Sequence, residues 1–139
     1  MNGLVEHLQP EGLPKNPAFS NVVAVSGPVK TVYVGGQNAV DPNGEIVGGG
    51  DIAAQTEQIF RNLGSALAAA GARLEHVIKF TLYLVAGQDL IPGFEVYQRV
   101  WGGRPNPPLV TAAFVSELAH PDFLLELEAV AVVPLEGTR

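Results

Sequence analysis

The sequence predicts an α+β fold, a mixed β-sheet with two helices packed on one of its faces. Runs rich in β-branched and aromatic residues indicate strands, and two segments with apolar residues at helical spacing indicate helices. Their order is β-β-α-β-α-β-β, so each helix connects two strands and both are expected on the same side of the sheet. The 139 residues, 47% of them apolar, are enough for one domain with a buried core, predicted to span residues 1–139.

Turn signals bound the strand-like runs. Residues 1–17 are rich in Pro, Asn and Glu and have no clear period, which predicts an extended arm. Gly27-Pro28 separates the first two strands. Asp41-Pro42-Asn43-Gly44 is a strong turn because Pro fixes φ while Asn and Gly tolerate positive φ. The predicted strands cover residues 19–26, 31–40, 76–85, 109–115 and 123–133.

Two helices are predicted from apolar spacing and end signals. The first begins after Asp51, a plausible N-cap, and stops at Gly71. The second begins at Asp89 and is closed by Gly102-Gly103, and the Pro-rich segment 104–108 follows as an extended loop. The apolar residues at helical spacing are Ile52, Ile59, Phe60, Leu63 and Leu67 in the first helix and Leu90, Phe94, Tyr97 and Trp101 in the second.

Composition and charge exclude several classes of function. The net charge of −6, with the basic residues scattered, makes nucleic acid an unexpected partner. The absence of cysteine excludes disulfides and thiol catalysis. No run approaches the ~18 apolar residues of a membrane span, and Glu6 and His7 do not suit a signal peptide, so a cytoplasmic protein is expected. Only 16% of residues are charged, which predicts an apolar surface and an oligomer.

No motif indicates a cofactor, a metal or a serine triad. The runs Gly35-Gly36 and Gly48-Gly49-Gly50 match neither dinucleotide-binding nor P-loop patterns. The three histidines are far apart and fit no metal-ligand spacing, and no serine stands in a nucleophile elbow. We therefore expect neither a metal nor a cofactor.

The last strand carries the clearest chemical signal. Its alternation puts Glu126 and Glu128 on one face together with Leu124, Val130 and Val132. Alternating acids usually mark a solvated face, whereas acids beside apolar side chains suit proton transfer. A glycosidase-like pair, with the two carboxylates about 6.6 Å apart along the strand, is not supported by any other feature of a sugar-binding cleft. The solvated face and the proton-transfer role both stay open.

Taken together, these segments resemble the RidA/YjgF family, also called the reactive intermediate deaminase family. The resemblance runs from about residue 19 to residue 133. It rests on the segments Val32-Tyr33-Val34-Gly35-Gly36-Gln37, Asp41-Pro42-Asn43-Gly44-Glu45, Asp51-Ile52-Ala53-Ala54-Gln55-Thr56, Asn62-Leu63, Ala69-Ala70-Gly71, Val77-Ile78-Lys79-Phe80-Thr81-Leu82-Tyr83-Leu84 and Leu125-Glu126-Leu127-Glu128-Ala129-Val130-Ala131-Val132.

The resemblance implies a chorismate-mutase-like fold assembled as a homotrimer, with small-molecule clefts between subunits. It also implies hydrolysis of reactive enamines or imines to 2-keto acids and ammonia, without metal or cofactor. In the family an arginine after the Pro-rich loop holds the substrate carboxylate by a two-pronged ion pair, and a glutamate matching Glu126 positions the attacking water. Further substrate-binding positions of the family fall on Phe19, Gly35 and Phe94.

This chain departs from the family pattern at the arginine. Where the family reads Pro-x-Arg, the sequence here reads Pro108-Leu109-Val110-Thr111-Ala112, which puts Val110 at the arginine position and adds Thr111 and Ala112 to the predicted site. Arg104, six residues earlier, would replace the arginine only if its loop folded inward. Two functions stay open: hydrolysis of an enamine- or imine-type metabolite with Glu126 activating water, and small-ligand binding by a non-catalytic trimer.

Overall fold

The structure, a computed structural model, describes residues 1–138. In this part of the chain six strands and two helices form. The strands are β1 (Leu4–Leu8), β2 (Val22–Ser26), β3 (Val29–Gln37), β4 (Val77–Val85), β5 (Leu109–Val115) and β6 (Leu125–Pro134), and the helices are α1 (Ile52–Ala69) and α2 (Ile91–Trp101). A short 3₁₀ turn, Leu74–His76, leads into β4.

Four strands form the mixed sheet that the sequence predicts. Their spatial order is β3-β6-β4-β5, with β4 and β5 parallel and the other neighbours antiparallel. The parallel pair is joined through α2, as a parallel connection requires. The predicted α+β class is confirmed, and β3 and β5 lie at the two edges of this sheet.

Strands β1 and β2 form a separate antiparallel pair. No strand was predicted within residues 1–17, yet Leu4–Leu8 pairs with Val22–Ser26. The pair joins the main sheet end to end, because the Gly3 amide donates to the Leu135 carbonyl at 2.9 Å. Residues 1–17 are therefore an arm that contains a strand.

Several element ends differ from the prediction for local reasons. The first predicted strand begins at Val22 rather than at residue 19, because Asn16 holds a turn by accepting from the amides of Ala18 and Phe19. Strand β3 ends at Gln37, after a bulge over Gly35 and Gly36. The last strand begins at Leu125, since the amide of Leu124 donates to the side chain of Gln55 instead of to a strand.

The helices begin and end largely as predicted. The carboxylate of Asp51 accepts from the Ala54 amide at 3.1 Å and so caps α1, and Gly71 takes a φ of +73° just beyond its end. Helix α2 starts at Ile91, two residues after Asp89, whose carboxylate accepts from the Ile91 amide.

Both helices lie on the same face of the sheet, which we call the helix face. The core fills the space between this face and α1, where Ile59, Leu63 and Leu67 meet Phe80 and Ala131. The other face, which we call the open face, carries the alternate side chains of the same strands. Strand β6 thus presents Leu125 and Leu127 to the helices and, by alternation, Glu126 and Glu128 to the open face.

Candidate functional site

A cavity of about 420 Å³ lies on the helix face, between the sheet, α1 and α2. Three of the predicted substrate-binding residues, Phe19, Phe94 and Val110, line it. The remaining lining is nearly all apolar and comes from the sheet, from α1, from α2 with the turn before it, and from the segment before β2: Ala18, Ile52, Thr56, Ile59, Phe60, Phe80, Leu82, Leu84, Leu90, Ile91, Gly93, Tyr97, Leu125 and Leu127. Among the described residues that line this cavity none is charged, so it suits an uncharged, hydrocarbon-rich molecule.

Aromatic rings make up one side of this cavity. Tyr97 is at the centre: its ring centroid lies 6.1 Å from that of Phe60, 6.2 Å from that of Phe80 and 6.2 Å from that of Phe94. The Phe80 ring meets both Tyr97 and Phe60 edge to face, at interplanar angles of 88° and 87°. These separations are those at which aromatic pairs attract one another.

Two hydroxyl groups belong to the cavity-lining residues. The hydroxyl of Thr56 donates to the Ile52 carbonyl at 2.7 Å, within the first turn of α1. The hydroxyl of Tyr97 donates to the Ala18 carbonyl at 3.4 Å, well beyond the usual 2.7–2.8 Å of an O–H···O bond. Burial raises the pKa of Tyr97, which keeps its hydroxyl protonated and able to donate.

Val110 stands on the edge strand β5 and is 37% exposed at the cavity mouth. It pairs with Phe80 of β4, and Ala112 pairs with Leu82, so both belong to the helix face. Thr111, between them, turns to the open face by strand alternation. The three predicted residues of this segment are therefore not gathered in one place.

Arg104 does not turn toward Val110. Its guanidinium donates to the carbonyls of Val100 and Trp101, at 3.0 and 2.8 Å, and so closes the C-terminal end of α2. Its Nε lies 3.8 Å from Glu75, and its own carbonyl accepts from the Trp101 indole. Within one chain, Arg104 is therefore engaged at the end of α2 and not at Val110.

Glu126 lies on the open face beside the β3 bulge. A Cβ placed on Gly36 would lie 2.7 Å from the Glu126 Oε2 atom, so the carboxylate occupies the space that a side chain at Gly36 would take. Glu126 pairs with Tyr83 of β4. Gly35, the other glycine of the bulge, lines a shallower depression of about 270 Å³ on this face, together with Tyr33, Lys79, Thr81 and Glu128.

The predicted site residues thus fall into two groups on opposite faces of one sheet. Phe19, Phe94 and Val110 meet at the helix-face cavity, whereas Glu126 and Gly35 lie on the open face. A four-stranded sheet separates the apolar cavity from the carboxylate within one chain. A single site that uses both groups requires a second copy of the chain.

Gln55 is a buried polar residue that is not among the predicted site residues. Its side-chain amide donates to the carbonyls of Gly48 and Asp122 and accepts from the Leu124 amide, at 2.8–3.0 Å. This side chain joins the start of α1 to the segment that enters β6, and so positions the strand that carries Glu126. A glutamine at the first turn of a helix gives no signal of such a role in sequence, because its partners are backbone groups far along the chain.

The described residues 1–138 contain no group of three His, Asp or Glu side chains placed to hold a metal ion. Within the same residues, no helix combines the length and the apolar character needed to cross a membrane.

The fold and the cavity define an α+β domain in which two helices cover an apolar cavity on one face of a mixed sheet. A family model described as "Endoribonuclease L-PSP" matches residues 14–133. The chain belongs to this family, the RidA/YjgF family, as its sequence motifs predict.

Individual relatives agree with this assignment. The rat 2-iminobutanoate/2-iminopropanoate deaminase is 36% identical over 116 residues, which are 83% of this chain and 80% of the deaminase. A Rid-family protein of Yersinia pestis, of unknown function, superposes with a TM-score of 0.79 at 32% identity, over 93% of this chain and 98% of its own. Escherichia coli TdcF, solved with bound serine, has a TM-score of 0.66 at 30% identity, over 74% of this chain and 80% of its own.

Proposed function

We propose that the protein hydrolyses a small, uncharged enamine or imine to a carbonyl compound and ammonia, in clefts between the subunits of a homotrimer. The observation that carries this proposal is the helix-face cavity, which three predicted substrate-binding residues line and in which none of the described lining residues is charged. The rat relative is named for 2-imino acids, whose carboxylate is anionic. With Val110 in place of a cation, transferring such a carboxylate into this cavity unpaired would cost several kcal/mol.

The division of the site between two faces supports the homotrimer. The apolar half comes from the helix face near the β5 edge, and the acidic half from the open face at β6 and the β3 bulge. Strand β5 is an exposed edge, and Phe114 on it is 66% exposed, which is typical of a surface that a partner covers. Closed cyclic assembly lets each copy supply one half to each of two neighbouring sites.

Glu126 is the acid–base group of the proposed reaction. A water oxygen adds to the C=N carbon while Glu126 accepts a proton from that water. Glu126 returns this proton to the nitrogen, which gives the neutral carbinolamine. In the collapse Glu126 takes the proton of the carbinolamine hydroxyl and passes it to the nitrogen, while the C=O bond forms and the C–N bond breaks, so that nitrogen leaves as ammonia. No oxidant, metal or cofactor enters this balance.

The reaction is tested with imines generated in situ from primary amines by an amine oxidase, with ammonia release followed in time. We expect the protein to accelerate hydrolysis of uncharged imines and to leave 2-iminopropanoate at or near the uncatalysed rate. Glu126→Gln keeps the side-chain shape and should abolish the acceleration. Glu128→Gln, two residues along the same face, is the matched control and should retain it. Hydrolysis of 2-iminopropanoate at the higher rate, or full activity in Glu126→Gln, contradicts the proposal.

The homotrimer is tested separately by sedimentation equilibrium at micromolar concentration. We expect a mass three times that of one chain, for the wild type and for Glu126→Gln alike. A stable monomer contradicts the shared site.

A second candidate is ligand binding without chemistry. It is favoured by the fact that Glu126 is the one predicted site residue with an acid–base side chain. In this case calorimetry would give the same ligand affinity in the wild type and in Glu126→Gln, and no imine would be turned over faster than in buffer.

A further inference from the structure

We propose that the helix-face cavity selects a ligand in which an aromatic ring carries the carbonyl or imine group, and that the Tyr97 hydroxyl donates a hydrogen bond to that group. This inference rests on the proposed function, because it names the substrate class of the same site. Tyr97 is then a specificity-determining residue, and the sequence assigned it only an apolar position on a helix.

The ring arrangement favours a flat aromatic ligand over a branched aliphatic one. Phe60, Phe80 and Phe94 surround Tyr97 with centroid separations of 6.1–6.2 Å from its ring, and all four line the cavity. A further ring from a ligand extends this set of edge-to-face and offset contacts. Each such aromatic pair contributes more than the apolar area it buries.

The size of the cavity leaves room for more than a single ring. An engineered apolar cavity of about 150 Å³ takes benzene, and the cavity here, at about 420 Å³, is well above that volume. A ligand that fills it has a ring plus several further heavy atoms. An aryl ketone or the corresponding aryl imine meets this requirement.

Of the two hydroxyls carried by cavity-lining side chains, that of Tyr97 is the more loosely held. Its bond to the Ala18 carbonyl is long, at 3.4 Å, so exchanging it for a bond to a ligand acceptor costs little. The Thr56 hydroxyl is committed to the Ile52 carbonyl at 2.7 Å and is not free to donate. The raised pKa of Tyr97 favours the protonated, donating form.

The test compares two probes of nearly the same shape. Acetophenone carries the carbonyl group, and α-methylstyrene replaces its oxygen by a methylene group. We expect acetophenone to bind the wild type about fivefold more tightly than α-methylstyrene, the effect of one net hydrogen bond. Tyr97→Phe should remove this difference by weakening acetophenone alone. Ser65→Ala, which removes an exposed hydroxyl of α1 outside the cavity, is the control and should keep it.

Two further measurements separate a hydrogen bond from a purely structural role. Thermal unfolding checks that Tyr97→Phe stays folded. The carbonyl stretching band of bound acetophenone should shift to lower frequency in the wild type and return toward its position in hydrocarbon solvent in Tyr97→Phe. An unchanged band, or an equal loss of both probes in Tyr97→Phe, overturns the role of the hydroxyl.

A third probe tests whether the cavity prefers an aromatic ring to a saturated one. Cyclohexyl methyl ketone has the same carbonyl group on a saturated ring, and we expect it to bind several-fold more weakly than acetophenone. Equal binding overturns the aromatic selection. These measurements of binding at equilibrium need no turnover, so they test this inference separately from the proposed function. If the protein hydrolysed a saturated uncharged imine but did not bind an aryl ketone, this inference would be contradicted and the proposed function would stand.

Discussion

Val110 places a hydrocarbon side chain at the mouth of the helix-face cavity. It stands at the mouth, partly exposed, on a strand whose other side chains alternate between the two faces. A hydrocarbon side chain at this position leaves a bound carboxylate without a partner. An arginine there would place a planar, permanently charged guanidinium group at the mouth of the cavity.

Val110→Arg should therefore create binding of a 2-keto acid. We expect the affinity for 2-ketobutyrate, measured by calorimetry, to rise at least tenfold above the wild type, because a charge-assisted pair replaces an unpaired buried anion. The protein should stay folded, since position 110 has room to reach solvent. Thr111→Arg, one residue along on the opposite face, should give no such gain. An equal gain in both variants would indicate non-specific attraction of anions.

Gln55 matters as a single residue because three backbone groups depend on it. Replacing it with Met keeps the volume but leaves the Gly48 and Asp122 carbonyls and the Leu124 amide without this partner. We expect the free energy of unfolding, from urea denaturation, to fall by about 2–4 kcal/mol. Gln58→Met, which loses one side-chain bond to Asn62, should cost clearly less. Equal losses of unfolding free energy in the two variants would mean that the substitutions report on the burial of a polar side chain in α1 and not on the three hydrogen bonds of Gln55.

At this scale the sequence predicts some site residues and misses others. The alternation of β6 is visible in sequence, so the position of Glu126 and the apolar lining from Leu125 and Leu127 follow from it. The long hydrogen bond of Tyr97 joins it to a backbone group 79 residues away, and the hydrogen bonds of Gln55 reach backbone groups up to 69 residues away. No local sequence pattern encodes such partners.

The β1–β2 pair contains a partly buried titratable residue, His7. The His7 Nδ1 atom lies 3.1 Å from the Ser20 hydroxyl, which itself donates to the Pro107 carbonyl at 2.5 Å, so this contact ties β1 to the loop before β5. Burial lowers the pKa of His7 below its usual 6.5. The folded state therefore favours the neutral imidazole.

The lowered pKa of His7 predicts that the folded state loses stability at acid pH. As the pH falls from 6.5 through the pKa that His7 has in the folded state, the unfolded chain takes up the proton first and stability decreases. Above pH 6.5 the contribution is fully present. The difference in Tm between wild type and His7→Gln, followed from pH 8 to pH 4, should shrink as the pH falls. A difference that does not change with pH would show that His7 acts by packing alone.

Among the elements, the sequence predicts best those with a strong internal period or a clear stop. Strand β5 has the predicted limits, 109–115, and α1 begins after its Asp51 cap. Strand β1 has five residues and, among the described strands, pairs with β2 alone. None of its residues is buried, and its sequence has no alternation of apolar and polar residues. Its formation depends on the partner strand, which a reading of residues 1–17 alone does not include.

At the scale of the whole molecule, the predicted site residues lie in two groups on opposite faces of the sheet. If neighbouring copies complete each other's site, two differently damaged chains should restore activity when they assemble together. Val110→Trp blocks the apolar half and leaves Glu126, whereas Glu126→Gln keeps the apolar half.

We expect each variant alone to be inactive toward an uncharged imine, and the two refolded together in equal amounts to regain about one quarter of the wild-type rate. This is the fraction of sites in which both halves are intact after random mixing. Separately refolded trimers mixed afterwards, without exchange of subunits, are the control and should stay inactive. No recovery after joint refolding would mean that the site lies within one chain.

The close approach of Gly36 to Glu126 also limits how the protein can change by mutation. Because the carboxylate fills the space of a missing side chain, Gly36→Ala should displace the acid and reduce imine turnover while the fold stays intact. In a Glu126→Ala background the same substitution should have almost no further effect. We therefore expect residues 36 and 126 to be epistatic: a lineage that has given up the acid is free to place a small side chain at position 36, whereas one that keeps the acid in place is favoured to keep the glycine.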